Sequence, residues 1–174
     1  MEPGASLTAG AGRSRPRIMT SSAGDNPGVH VPPPFFYIAA IGGGALLRRS
    51  TPLTIGWDAP RVVAAWIFVG LFAALMIWSF IWFARQRTTI IPNKPAKALV
   101  LGGPFRLTRN PLYLAMALLT VGAGLWLNTW WVLILLVPAV VLIDRLVIAR
   151  EEAYLRRRFG AEYEAFTARV RRWL

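Results

Sequence analysis

The sequence predicts an all-α integral membrane protein, with about four transmembrane helices followed by C-terminal amphipathic helices at the membrane interface. Three observations carry this expectation. The 174 residues are 55% hydrophobic, with a mean hydropathy of +0.46, too apolar for an ordinary water-soluble domain. Long apolar runs recur between charged flanks. The net charge of +12 comes from 20 basic against 8 acidic residues, and the arginines border the apolar runs. They do not form a soluble basic face with interleaved stacking aromatics, so the expected partner is a lipid bilayer and not nucleic acid. Cysteine is absent, which excludes disulfides, thiolate metal sites and a cysteine nucleophile. The single histidine, His30, precedes a proline run and reads as a solvated loop residue, so no metal site is expected.

Residues 1–31 are rich in Gly, Ser, Ala and Pro without apolar periodicity and predict a disordered basic tail. A signal peptide does not fit, because Arg13, Arg15 and Arg17 are not followed by an apolar stretch at the right distance. Residues 32–174 form the membrane domain. Its first span covers about 33–48, opened by Pro32-Pro33-Pro34 and closed by Arg48-Arg49, which reach to the headgroups. It is short for the ~20 residues that cross a bilayer. Gly42-Gly43-Gly44 within it reads as close helix packing, since no strand precedes it and no Lys-Ser/Thr follows for a phosphate loop.

The second span, about 62–83, is an apolar run bounded by Arg61 and Arg85, with Trp66, Trp78 and Trp82 suited to interfacial belts. The third and fourth, about 111–127 and 130–144, are separated by Asn128-Thr129 alone, which predicts an antiparallel hairpin. Pro138 predicts a kink in the fourth. Four spans place all basic residues except Arg48, Arg49 and Arg61 on one side, and the positive-inside rule makes that side cytosolic. From residue 145 to 173 the pattern turns amphipathic, with Leu155, Phe159, Tyr163, Phe166, Val170 and Trp173 recurring among Arg and Glu. This predicts two helical pieces lying on the membrane, the first continuing from the fourth span and ended by Gly160.

Two constellations carry chemistry. Glu151-Glu152 stand one to two turns beyond the hydrocarbon boundary, where paired carboxylates are costly without a cationic partner. Arg145, Arg150 or a positively charged ligand could supply it. The stretch Gly102-Gly103-Pro104-Phe105-Arg106-Leu107-Thr108-Arg109-Asn110-Pro111-Leu112-Tyr113 combines a tight turn with a proline at the first helical position of the third span. A helix N-terminus there offers backbone N–H groups to an anion. On one cytosolic rim, the two constellations would complement an amino-acid zwitterion attached to a sulfonium.

From about Thr88 to Leu174 the chain resembles the isoprenylcysteine carboxyl methyltransferase family, including its bacterial relatives. The resemblance rests on Lys97-Ala98-Leu99-Val100, Gly103-Pro104-Phe105, Arg109-Asn110-Pro111-Leu112-Tyr113, and Glu151-Glu152 followed by Leu155, Phe159-Gly160, Tyr163 and Val170. It implies a membrane methyltransferase that uses S-adenosyl-L-methionine without a Rossmann fold. By position it implies that Lys97, Ala98, Leu99, Val100, Phe105, Asn110, Pro111, Leu112 and Tyr113 line the cofactor and that Glu151 takes its ammonium group. Arg109 and Glu152 are the catalytic candidates it implies. The resemblance further implies an integral protein of the bacterial inner membrane, its site facing the cytosol, acting on a lipid-borne or hydrophobic acceptor. Eukaryotic members usually carry His where this chain has Asn110, and a substrate arginine where it has Val147, a departure that argues against prenylcysteine itself.

Methyl transfer from a sulfonium is an in-line displacement and needs no metal. Candidate bases are few, namely Glu152, Tyr113 and Asp144, which favours an acceptor already nucleophilic at neutral pH. Phospholipid N-methyltransferases share the cofactor motifs and differ in acceptor, and a thiol acceptor is a further alternative. Membrane sterol reductases share a similar C-terminal pattern but use NADPH and have a larger helical body. A non-enzymatic membrane subunit anchored by its arginines is the reading of a different class.

Overall fold

The computed structural model describes residues 31–86 and 98–174, which contain helices and no strand. The tail expected over residues 1–31 lies outside the described residues except for Val31. Helix α1, Pro34–Ser50, starts on the proline run and carries Arg48 and Arg49 in its last turn, where cations suit the helix dipole. Helix α2, Asp58–Arg85, has Asp58 in its first turn and Arg85 in its last. Helix α3, Pro111–Trp126, places proline in its first turn, where the missing N–H costs nothing. Helix α4, Trp130–Ile143, is capped by Thr129, whose hydroxyl accepts from the Trp131 N–H at 3.3 Å. It runs on through Pro138 into a π-helical turn, Asp144–Ile148, and then into α5, Ala149–Phe159. Gly160, at φ +49°, ends that helix as expected, and α6, Ala161–Thr167, follows.

The four long helices alternate in direction. At one end, the α1–α2 loop and the α3–α4 turn are stitched together. Asn128 Oδ1 accepts from the backbone N–H groups of Ile55 at 3.0 Å and Gly56 at 3.1 Å. Trp131 Nε1 donates to Thr51 O at 2.7 Å. The Arg61 guanidinium donates to the carbonyls of Leu125 and Trp126 at the C-terminus of α3. The opposite end holds the start of α1, the end of α2, the start of α3 and everything after Ile143. Helix α3 is central, packing along α2 and also touching α4 and α1, and α1 lies along α4.

Small residues let the backbones approach. A Cβ on Gly44 would fall 2.5 Å from Val132 Cγ2 and 2.7 Å from the Val132 backbone N, whereas one on Gly42 would meet nothing. The glycine triplet therefore packs α1 on α4, and Gly44 is the position that requires it.

Two of the helical stretches are long and apolar enough to cross a membrane, not four: Asp58–Arg85, with 28 residues, and Trp130–Phe159, with 30. Helix α1 has 17 residues and α3 has 16, giving about 26 and 24 Å at the α-helical rise, short of a hydrocarbon core of about 30 Å. Prolines at their starts and the tight turn at Asn128 fix these lengths.

The C-terminal region also departs from the expectation of helices over 145–173 lying on the membrane. Helix α6 stops at Thr167, and residues 168–174 are non-helical. Within the expected membrane-facing stripe, Tyr163 and Phe166 are buried. Trp173 packs against the cluster of Tyr37, Ile143, Val147 and Ile148. The reason is hydrogen bonding: the carbonyls of Arg171 and Arg172 are taken by the turn before α3, which pulls this segment inward.

Candidate active site

The site is built where that C-terminal segment, the turn before α3 and the π-turn helix meet. Gly102 and Gly103 lie flat against the Trp82 indole, and a Cβ on Gly103 would sit 2.0 Å from Trp82 Nε1. Gly103 also adopts φ +60°, open to glycine at no steric cost. A 3-10 turn, Gly103–Arg106, follows, and Phe105 sets its ring edge-on to Phe83 with centroids 5.4 Å apart. Thr108 is fully buried. Its hydroxyl donates to Arg172 O at 3.0 Å and accepts from the Asn110 N–H at 3.2 Å. Asn110 precedes α3 but makes no side-chain cap; its Nδ2 donates to Arg172 O at 2.9 Å. The Arg109 N–H donates to Arg171 O at 3.0 Å.

The two acids part ways. The Tyr113 hydroxyl donates to Glu151 Oε1 at 2.7 Å, while the Tyr113 carbonyl accepts from the Tyr37 hydroxyl at 2.8 Å. Glu152 is buried, and both of its oxygens are engaged. Arg109 Nη1 stands 2.9 Å from Oε1. Arg172 Nε donates to Oε1 at 3.1 Å and its Nη2 to Oε2 at 2.6 Å. Arg172 Nη1 also pairs with Asp144 at 3.0 Å, and Trp173 Nε1 donates to Asp144 at 3.1 Å.

The π turn explains the parting. On an unbroken α-helix Asp144 and Glu152 would lie about 80° apart around the axis, and one extra residue in the turn brings them to within about 20°. Both then face Arg172, while Glu151 is turned away towards Tyr113.

Electrostatics sharpen the difference. Glu151 lies beyond the apolar stretch that ends at Ile143. Burial pushes its carboxyl up to about 7, the hydrogen bond from Tyr113 opposes this, and the charge of Glu152 adds to it. Arg109 also lies beside the Tyr163 hydroxyl. Its Nε is buried with no hydrogen-bond partner among the described residues.

Of the residues expected at the site, Asn110, Pro111 and Tyr113 form the start of α3, Tyr113 touches Glu151, and Arg109 pairs with Glu152. Leu112 sits in the same first turn and is partly buried. Val100 is buried and Phe105 packs on α2, while Ala98 and Leu99 lead into the turn. Lys97 lies outside the described residues. Sequence reasoning missed Arg172 and Trp173 as site residues, because Arg172 stood among eight C-terminal arginines with no spacing to distinguish it.

A cavity of about 1070 Å³ opens beside this cluster. It is lined by Trp78 and Trp82 of α2, by Leu99 and residues 101–103, 106 and 107, and by Phe166, Arg169 and Val170 near the C-terminus.

Comparisons with known proteins bear on what this arrangement does. A 63-residue stretch, 36% of this chain, is 36% identical to the whole of an uncharacterized protein from Haemophilus influenzae. No solved structure matches the chain. Residues 60–162, more than half of the chain and including the turn before α3 and both acids, match the family model described as phospholipid methyltransferase. The chain belongs to the phospholipid methyltransferase family.

Proposed function

We propose that the bundle is embedded in the bacterial inner membrane and moves a methyl group from S-adenosylmethionine to a membrane-borne hydrophobic acceptor, at a site on the cytosolic face. The observation that carries this reading is the 2.7 Å contact between Tyr113 and Glu151. It joins two motifs 38 residues apart into one site, next to a carboxylate not consumed by an ion pair among the described residues. Exposed apolar side chains on α2, among them Trp66, Ile67 and Leu71, support embedding, since a large apolar surface is costly in water.

The residues present fit the cofactor. Glu151 suits its ammonium group. Arg109 Nε, a buried donor with no acceptor among the described residues, suits its carboxylate, as do the N–H groups of the first turn of α3 that intrahelical bonds leave unused. Asn110, Pro111, Leu112 and Tyr113 line it, with Phe105 and residues 97–100 beside it. When bound, S-adenosylmethionine supplies an electrophilic methyl carbon on a cationic sulfur. The chain's task is to align the acceptor in line with that carbon and to exclude water.

Among the candidate bases, Glu152 and Asp144 are held by arginines and Tyr113 donates to Glu151. That favours an acceptor nucleophilic at neutral pH, such as a carboxylate, over one that must first lose a proton. Arg109 and Glu152 then serve by holding the turn beside the cofactor. The cavity flanked by Trp78 and Trp82 gives the acceptor's apolar part a place next to the turn.

Calorimetric titration of the purified protein with S-adenosylhomocysteine and with NADPH tests the reading. Saturable binding of the first and none of the second is expected. Binding of NADPH would favour a reductase, and silence with both a non-enzymatic subunit.

A further inference from the structure

The C-terminal arginine cluster contributes one residue that the proposed function has not used. Arg172 spans two acids: its Nη1 lies 3.0 Å from Asp144 Oδ2, and its Nη2 lies 2.6 Å from Glu152 Oε2. Its main-chain carbonyl accepts from Thr108 Oγ1 and Asn110 Nδ2. One residue therefore ties the turn before α3 to both ends of the π-turn helix segment, through its side chain on one side and its backbone on the other.

Charge counting within the cluster gives this tie a consequence. Arg109 and Arg172 are matched by Asp144 and Glu152 through the ion pairs between them. Glu151 contacts a neutral phenol instead. Compensating Glu152 is what allows Glu151, the residue before it, to carry a second negative charge in a partly buried place, where like charges are weakly screened.

We infer that Arg172 is a positioning residue for methyl transfer: by neutralising Glu152 and holding the turn Thr108–Asn110, it keeps the negative charge of the acid pair at Glu151, where the cofactor's ammonium is bound. This rests on the proposed role of Glu151. Among the described residues, the groups that face Glu151 are Tyr113 from α3, with Tyr37 of α1 behind it on the Tyr113 carbonyl, and Glu152 on its own helix. Arg109 and Arg172 act on it through Glu152.

The test is the affinity for S-adenosylhomocysteine as a function of pH, measured on the full chain in detergent alongside thermal melting. The wild type should bind more tightly as pH rises through about 7 and level off above, because the ammonium needs the ionised carboxylate. Arg172→Gln leaves Glu152 less compensated and should move the midpoint up by about one pH unit, with binding about fivefold weaker at neutral pH. Glu152→Gln leaves Arg109 uncompensated, while Arg172 keeps Asp144, and should move it down. The double substitution E152Q/R172Q should return the midpoint near that of the wild type, and R172K should restore much of the loss.

A merely structural Arg172 would lower the melting temperature and leave these midpoints where they were, which would overturn the inference. If Arg172→Gln does not fold, Glu152→Gln and the double variant still decide by the sign of their shifts. Absence of any wild-type binding takes down the proposed function, whereas wild-type binding with unshifted variants takes down this inference alone.

Discussion

At the residue scale, the chemistry of Tyr113 rests in one oxygen. Its ring packs against the cluster of Tyr37, Ile143, Val147 and Ile148, and only its hydroxyl reaches Glu151. Replacing Tyr113 by Phe keeps the packing and removes the donor. The expected result is an affinity for S-adenosylhomocysteine reduced about tenfold, ~1.4 kcal/mol, with a melting temperature nearly unchanged. A large fall in melting temperature with unchanged affinity would assign Tyr113 to the core. The Arg109 to Tyr113 motif and the acid pair were legible in the sequence because proline, a run of polar residues and paired carboxylates stand out at a membrane boundary. The residues alone did not tell Glu151 from Glu152, to which only the resemblance gave different roles, since adjacent residues differ only in which way a helix turns them.

At the scale of elements, that turn is set by the π-helical segment Asp144–Ile148. Apolar periodicity does not reveal one extra residue in a turn, because Val147 and Ile148 are both buried and either phase would look apolar. The glycine triplet of α1 was legible as packing, though not which glycine matters. Gly44→Ala would drive a Cβ into the backbone of Val132 at 2.7 Å, which α4 cannot move aside, and should cost about 1–3 kcal/mol. Gly42→Ala meets open space and should be neutral or stabilising by up to about 1 kcal/mol through helix propensity. Thermal melts of the two variants check this, and equal losses would contradict the packing of α1 on α4.

At the scale of the whole molecule, the alternating helices put Arg48, Arg49 and Arg61 at one end and every other described basic residue near or beyond the other. The order and ends of the helices were legible from prolines, glycines and flanking arginines. The inward course of residues 168–174 was not, because it depends on carbonyls captured by a turn some sixty residues earlier in the chain. With no native cysteine, a single cysteine at Trp57, which is 81% exposed in the α1–α2 loop, reports on sidedness. It should react with an impermeant thiol reagent from the periplasmic side of intact cells. Labelling only after the cells are opened would reverse the orientation.

The central claim is that a carboxylate at Glu151, set by Tyr113, receives the cationic end of S-adenosylmethionine. Its most direct test is calorimetric titration of Glu151→Gln with S-adenosylhomocysteine beside the wild type at pH 8, where the wild-type carboxylate is ionised. Glutamine keeps the size and a hydrogen-bond acceptor for Tyr113 while removing the charge. Affinity weakened by about 1.5–3 kcal/mol, the scale of a lost charge-assisted hydrogen bond, is the predicted result; equal affinity in a variant with unchanged melting temperature would contradict it.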